Sequence, residues 1–387
     1  MHIDCDTHYF APDAFDYLDA RFAALRPRPV FKDGFLVDIA FPGAPTPVPG
    51  STPLPAPGSG NKIAGNCDLD ARMADYEKLG IEKQIVLPQF TGWWSYLIEP
   101  ALATALAHSW NLSILRAAKA QPGQFYGVAL LALQDPDGAI AEVQWAKDNG
   151  FVAVVFDHTF PVREHAFGTP TATHREVWPV FAKCEALDMP IFFHAVQHGH
   201  RMVNLLNFQT DGLDYFSPSN PQMNLVALIT SGLLDRYPGL KIIHAEAGAR
   251  HILDLAKKLD GRYRKLEAEY EEDEGATAIS RRKLSSKAPQ LVPPDVAKEK
   301  NTRMPSSYFR KNFWWTIETE EEALGDAVRL IGAERFLFAT DYPHTDPGGK
   351  MKYRDVELLA GRADFSEAEK ELMRWKNTKE LFPAMLV

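Results

Sequence analysis

Asp6 and His8 stand two residues apart in the run Asp4-Cys5-Asp6-Thr7-His8, close to one end of a 387-residue chain. Asp341, His344 and Asp346 lie within six residues of one another near the other end, in Asp341-Tyr342-Pro343-His344-Thr345-Asp346. On an extended strand successive side chains alternate faces, so Asp6 and His8 point the same way. His194, His244 and Glu246 each stand at or just past a short apolar run, Pro190-Ile191-Phe192-Phe193 or Lys241-Ile242-Ile243. Imidazoles and carboxylates gathered in one place form the donor set of a divalent cation such as zinc, manganese or iron. A catalytic ion also keeps a position open for water or substrate.

Residues so far apart in sequence meet only if a closed sheet brings them together. Short apolar runs centred on Ile3, Ile85, Val128, Val154, Phe192, Ile243, Trp315 and Phe338 read as eight strands. Stretches of helical spacing separate them, among them 68–79, 100–118, 135–149, 173–187, 223–231, 249–272 and 320–332. Alternating βα units on a parallel sheet, eight in number, predict a single (β/α)8 TIM barrel whose chemistry sits at the C-terminal mouth of its strands. Two stretches interrupt the pattern. Residues 31–65, rich in Pro, Gly and Ser, are expected to leave the barrel as a long excursion or lid, and residues 276–304, basic and Pro-rich, to form an inserted arm for subunit contact.

Composition narrows the function. With 45% hydrophobic and 24% charged residues the chain is an ordinary globular protein, and its apolar runs are shorter than a membrane span. A net charge of −9 without a basic block argues against nucleic acid and leaves a small molecule as the expected substrate. Three widely spaced cysteines and an acidic start without a basic leader fit a reducing, cytoplasmic setting.

Several motifs carry a likeness across nearly the whole chain: Asp6-Thr7-His8, Lys78-Leu79-Gly80-Ile81-Glu82, Gly127-Val128-Ala129-Leu130-Leu131 with Gln134-Asp135-Pro136, Ser231-Gly232-Leu233-Leu234-Asp235-Arg236-Tyr237-Pro238, Asp341-Tyr342-Pro343-His344 and Asn377-Thr378-Lys379-Glu380-Leu381-Phe382. Together they resemble the amidohydrolase superfamily, in particular the amidohydrolase-2 branch of aminocarboxymuconate semialdehyde decarboxylase and the resorcylate-type decarboxylases. The resemblance implies that Asp6 and His8 form the first metal-ligand pair, where many members have His-x-His. It also implies that His194 is the histidine at the end of the fifth strand and Asp341 the final metal-binding aspartate. Where those decarboxylases carry a catalytic histidine this chain has Glu246, which could act as a base or a further ligand and could copy the histidine's proton delivery at neutral pH only with a raised pKa.

The expected activity is therefore a metal-dependent hydrolase or decarboxylase using one or two zinc, manganese or iron ions. Asp341 or Glu246 moves the proton, His344 faces the pocket, and Trp93, Trp94, Trp314 and Trp315 shape its wall. The extra donors His198, His200 and Asp346 also resemble those of a sub-branch that includes the 2-aminoisobutyrate hydroxylase components, which implies a dinuclear iron or manganese oxygenase as the alternative. Resemblance to that sub-branch further implies a homo-oligomer or a pair of related subunits, one of them without catalysis as a third reading.

Overall fold

A computed structural model describes residues 1–42, 63–89, 97, 99–156, 173–194, 219–246, 248–272, 301–344 and 353–386. Eight parallel strands form one sheet: β1 (Ile3–Tyr9), β4 (Lys83–Pro88), β5 (Phe125–Leu130), β6 (Ala153–Val155), β7 (Ile191–Phe193), β8 (Ile242–His244), β9 (Phe313–Ile317) and β10 (Phe336–Phe338), each paired with the next in that order. The first and last strands meet beyond their regular ladders. Thr7 and Tyr342 form a parallel bridge, and the His8 N–H donates to the Tyr342 carbonyl at 2.6 Å. That seam makes the sheet the TIM barrel expected from the strand count, with every one of the eight apolar runs a strand.

Local chemistry places the helices between them. Helix α1 (Leu69–Leu79) starts where the Asp68 side chain accepts from the Ala71 N–H at 3.0 Å and stops at Gly80, whose φ of 68° suits a residue without a Cβ. The Asp135 carboxylate likewise caps α3 (Pro136–Asp148), with Pro136 in its first turn. Between them runs α2 (Pro100–Ala120), and α4 (Trp178–Ala186), α5 (Ser219–Thr230), α6 (Ala249–Glu272), α7 (Pro305–Lys311) and α8 (Leu324–Ile331) follow. No helix among the described residues is long and apolar enough to cross a membrane.

The stretch expected to leave the barrel opens with a hairpin outside the barrel sheet. Strand β2 (Arg28–Lys32) pairs antiparallel with β3 (Phe35–Ala40) across Asp33 and Gly34, whose φ values are 53° and 83°. Asp-Gly is the dipeptide that a two-residue turn with two positive φ angles favours. The remainder of that stretch that would form a lid, residues 43–62, lies outside the described residues, as does most of the expected arm, 276–300.

Candidate metal centre

Each donor reaches the mouth by a different local device. Asp6 and His8 share the inward face of β1 and are 1% and 4% exposed, and His194 directly follows β7 at 3%. Glu246 and Asp341 stand past the ends of β8 and β10 with φ of 51° and 55°. Left-handed backbone is uncommon for residues with a side chain and concentrates at functional sites. Here it turns both carboxylates into the cluster. Ligand atoms of His8, His194, Glu246 and Asp341 all lie within 4.8 Å of one another. Asp6 Oδ1 joins them, 3.7 Å from His8 Nε2 and 3.6 Å from His194 Nε2, while Asp341 Oδ1 is 3.3 Å from His8 Nε2 and Glu246 Oε1 is 3.6 Å from His194 Nε2.

The electrostatics of this ring are those of a cation site. Burial pushes the Asp6 carboxyl well above the usual range, and the charges of Asp341 and Asp4 push further. Glu246 is raised by burial, then by the charges of Asp341, Asp6 and Glu318. For Asp341 burial works in the same upward direction, but the His344 imidazole 2.7 Å away and the His8 imidazole 3.3 Å away outweigh it and hold it below the ordinary range. His8 is lowered by burial, which favours the neutral imidazole that a metal ion requires. Asp6 Oδ1, although buried, accepts no hydrogen bond from any described residue. A buried carboxylate oxygen without a donor, set beside two further carboxylates, is costly unless a cation compensates it, so the residues present fit a divalent ion.

Two neutral side chains steady the ring. Thr316 donates to Asp6 Oδ2 at 3.2 Å and accepts from the Glu246 N–H at 3.1 Å, joining β1, β9 and the turn after β8. His344 Nδ1 lies 2.7 Å from Asp341 Oδ1, and its Nε2 faces Gln89 Nε2 at 3.1 Å, just past β4. His344 is thus drawn to the centre, where Asp341 outweighs burial and raises its pKa. Neither Thr316 nor Gln89 is a titratable residue, so nothing in the chemistry of its side chain singled it out. Position was the available signal, since both stand at or beside the C-terminal end of a strand.

Three residues do not stand where strand-end reasoning put them. Trp315 is fully buried, with its ring stacked 5.4 Å from Phe309 of α7 and 5.5 Å from Phe313. Because Thr316 faces inward to Asp6, alternation turns Trp315 outward into the helix layer, where it is packing and not pocket wall. His244 pairs in register with Trp315 and stacks on it at 5.6 Å, so it too faces away from the metal donors. Trp314 points inward but lies toward the opposite end of β9, under the Arg335 guanidinium that precedes β10, 4.5 Å from the ring. Trp93, Trp94, His198, His200 and Asp346 fall outside the described residues.

Comparison with known proteins agrees with this architecture. The amidohydrolase family profile matches residues 3–384. The chain is 25% identical to a gamma-resorcylate decarboxylase of Polaromonas sp. over 277 residues, 68% of this chain and 71% of that one. It is 23% identical to a 2-amino-3-carboxymuconate-6-semialdehyde decarboxylase of Dictyostelium discoideum over 325 residues, 82% and 78% of the two chains. Among solved structures, a dihydroxybenzoic acid decarboxylase of Polaromonas sp. JS666, with bound manganese and the inhibitor 2-nitroresorcinol, superposes with a TM-score of 0.69 at 20% identity, covering 99% of this chain and 96% of the other. An amidohydrolase of Mycobacterium avium subsp. paratuberculosis gives 0.70 at 21% identity, with 98% of each chain covered. Matched nearly from end to end, and with an acid and imidazole ring at the mouth of its barrel, the chain is an enzyme of the amidohydrolase family.

Proposed function

We propose that the chain is a divalent-metal-dependent decarboxylase of a small aromatic or conjugated carboxylic acid, and that Glu246 delivers the proton that replaces the lost carboxylate. The observation that carries this reading is the place of Glu246 in the donor ring, its Oε1 3.6 Å from His194 Nε2 and its ligand atom within 4.8 Å of Asp341's, where burial and the Asp341 and Asp6 charges raise its pKa. These neighbours favour the protonated form of Glu246. That is the condition under which a glutamate can do the work for which related decarboxylases use a histidine. The gamma-resorcylate and 2-amino-3-carboxymuconate-6-semialdehyde decarboxylases it resembles support the substrate class, and the manganese in the Polaromonas structure supports a divalent ion.

Asp6, His8, His194 and Asp341 would hold the ion. When bound, it supplies a Lewis acid that anchors and polarises an oxygen of the substrate. His344 keeps the Asp341 carboxylate oriented, Gln89 orients His344, and Thr316 fixes Asp6 against the Glu246 backbone. In the chemical step the bond from carbon to the carboxyl group breaks and its electron pair remains on carbon. The Glu246 proton then forms the new C–H bond as carbon dioxide leaves. Glu246, now ionised, recovers a proton from water at the mouth, where its side chain is 15% exposed.

Manganese-loaded protein incubated with a panel of hydroxybenzoates in deuterium oxide tests the proposal. Release of carbon dioxide with one deuterium at the vacated carbon supports it. Oxygen uptake, or hydrolysis of ester and amide analogues without carbon dioxide release, contradicts it.

A further inference from the structure

Arg72, on α1, is fully buried, yet every hydrogen bond it makes among the described residues ends on a neutral oxygen. Its Nε donates to Gln84 Oε1 at 2.5 Å, one terminal nitrogen donates to the His8 carbonyl at 2.6 Å and to the Gly65 carbonyl at 3.4 Å, and the other donates to Thr7 Oγ1. Aromatic rings enclose the guanidinium, with centroids 4.8 Å away for Tyr342, 5.3 Å for Tyr76, 5.7 Å for Tyr9 and 6.0 Å for Phe125. Burying a cation without a carboxylate is expensive. An apolar side chain would fill the same space at lower cost, so the placement calls for a reason beyond packing.

The acceptors supply that reason. Thr7 and His8 flank the point where β1 meets the residues after β10, and the Tyr342 carbonyl accepts from Thr7 Oγ1 at 2.8 Å and from the His8 N–H at 2.6 Å. Arg72 therefore grips one side of the seam directly and reaches the other through the Thr7 hydroxyl. On that seam hang Asp6 and His8 from one end of the chain and Asp341 and His344 from the other. The fork of the guanidinium meets two acceptors of β1 at once, which a lysine ammonium on a flexible stem cannot reproduce. Aromatic faces around it supply cation–π attraction in place of an anion, leaving the carboxylates of the mouth free for a metal ion.

From this geometry we infer that Arg72 is a positioning residue of the metal centre: it sets the spacing between the Asp6 and His8 pair and Asp341 without touching an ion or a substrate. The inference rests on the cation site described above. Residues that orient ligands in this indirect way typically change metal affinity by about 10- to 100-fold when replaced.

The test measures manganese affinity by loss of the free-ion paramagnetic resonance signal, alongside melting of the metal-free protein. It uses Arg72→Lys, Thr7→Val and Thr7→Ser at a temperature where circular dichroism shows each folded. Arg72→Lys and Thr7→Val should weaken manganese binding at least tenfold. Thr7→Ser, which keeps the hydroxyl, should stay near the wild-type affinity. If melting falls while the affinity of Arg72→Lys and Thr7→Val stays at the wild-type value, Arg72 is a packing residue and the inference is overturned. Should Arg72→Lys not fold, the comparison of Thr7→Val with Thr7→Ser decides alone. Wild-type protein that binds no manganese would sink the cation site and this inference with it, whereas wild-type binding with unaffected variants sinks only the inference.

Discussion

The Asp341 N–H donates to the Asp6 carbonyl at 3.0 Å, so the two acidic residues that belong to opposite ends of the chain are tied through their backbones before any ion joins their side chains. Their carboxylates then approach one imidazole nitrogen, His8 Nε2, at 3.7 Å from Asp6 and 3.3 Å from Asp341. Closure of the barrel and assembly of the donor ring are thus one structural event.

Asp341→Asn keeps the size of the side chain and removes its charge. Turnover should fall at least 10³-fold, because the lost carboxylate served both the ion and the proton on Glu246. Bound metal should fall with it. Elemental analysis and a carbon dioxide assay on the same sample check this outcome, and unchanged metal with unchanged turnover would remove Asp341 from the site.

Glu246→Gln separates proton delivery from ligation. The amide still occupies the space but has no acidic proton to give, so turnover should drop by about 10²- to 10⁴-fold, the range typical of a general acid. Metal content should remain close to wild type, since Asp6, His8, His194 and Asp341 remain. Loss of metal in proportion to activity would instead make Glu246 a ligand.

Trp315→Ala should destabilise the fold by about 3–5 kcal/mol, the cost of emptying a large buried aromatic site. Manganese affinity and turnover of the folded fraction should hold, because the ring stacks on Phe309 and Phe313 in the helix layer. Denaturant melts paired with a steady-state assay distinguish this from a pocket role, which would change KM with little loss of stability.

Burial raises Asp4 from the ordinary 3.8 to about 6, against the hydrogen bonds of Thr340 and Tyr76. Between those values the folded chain keeps a proton that the unfolded chain has released, so this group's contribution to stability falls as pH rises. The melting-temperature advantage of the wild type over Asp4→Asn should therefore shrink from about pH 4 to 6. His8, whose lowered pKa makes stability rise with pH, is common to both proteins and drops out of the difference. A gap that stays constant or widens would contradict the assignment.

What the sequence disclosed follows from what its patterns encode. Most barrel strands after β1 are short, largely apolar runs such as Ile85-Val86-Leu87, visible without any partner, and Asp68, Gly80 and Asp135-Pro136 announce helix ends through backbone chemistry. His8, His194 and Asp341 could be picked out because a charged or imidazole group at a strand end is conspicuous. Facing is harder to read. His244 and Trp315 read as mouth residues because a strand of three to five residues does not reveal its phase, which only the register with β8 and the Thr316 to Asp6 bond resolves. Glu246 reaches the site through a positive φ that strand alternation cannot foresee. The β2 and β3 hairpin was masked by the Pro-rich residues that follow it, although Asp33-Gly34 held the turn signal.

The central claim is that side chains scattered from Asp6 to Asp341 share one cation. An anomalous difference map of manganese-loaded crystals tests it most directly. One strong peak within coordination distance of His8 Nε2, His194 Nε2 and an Asp341 oxygen is the predicted result. Fully loaded crystals with no peak there, or with manganese bound only elsewhere, would contradict it.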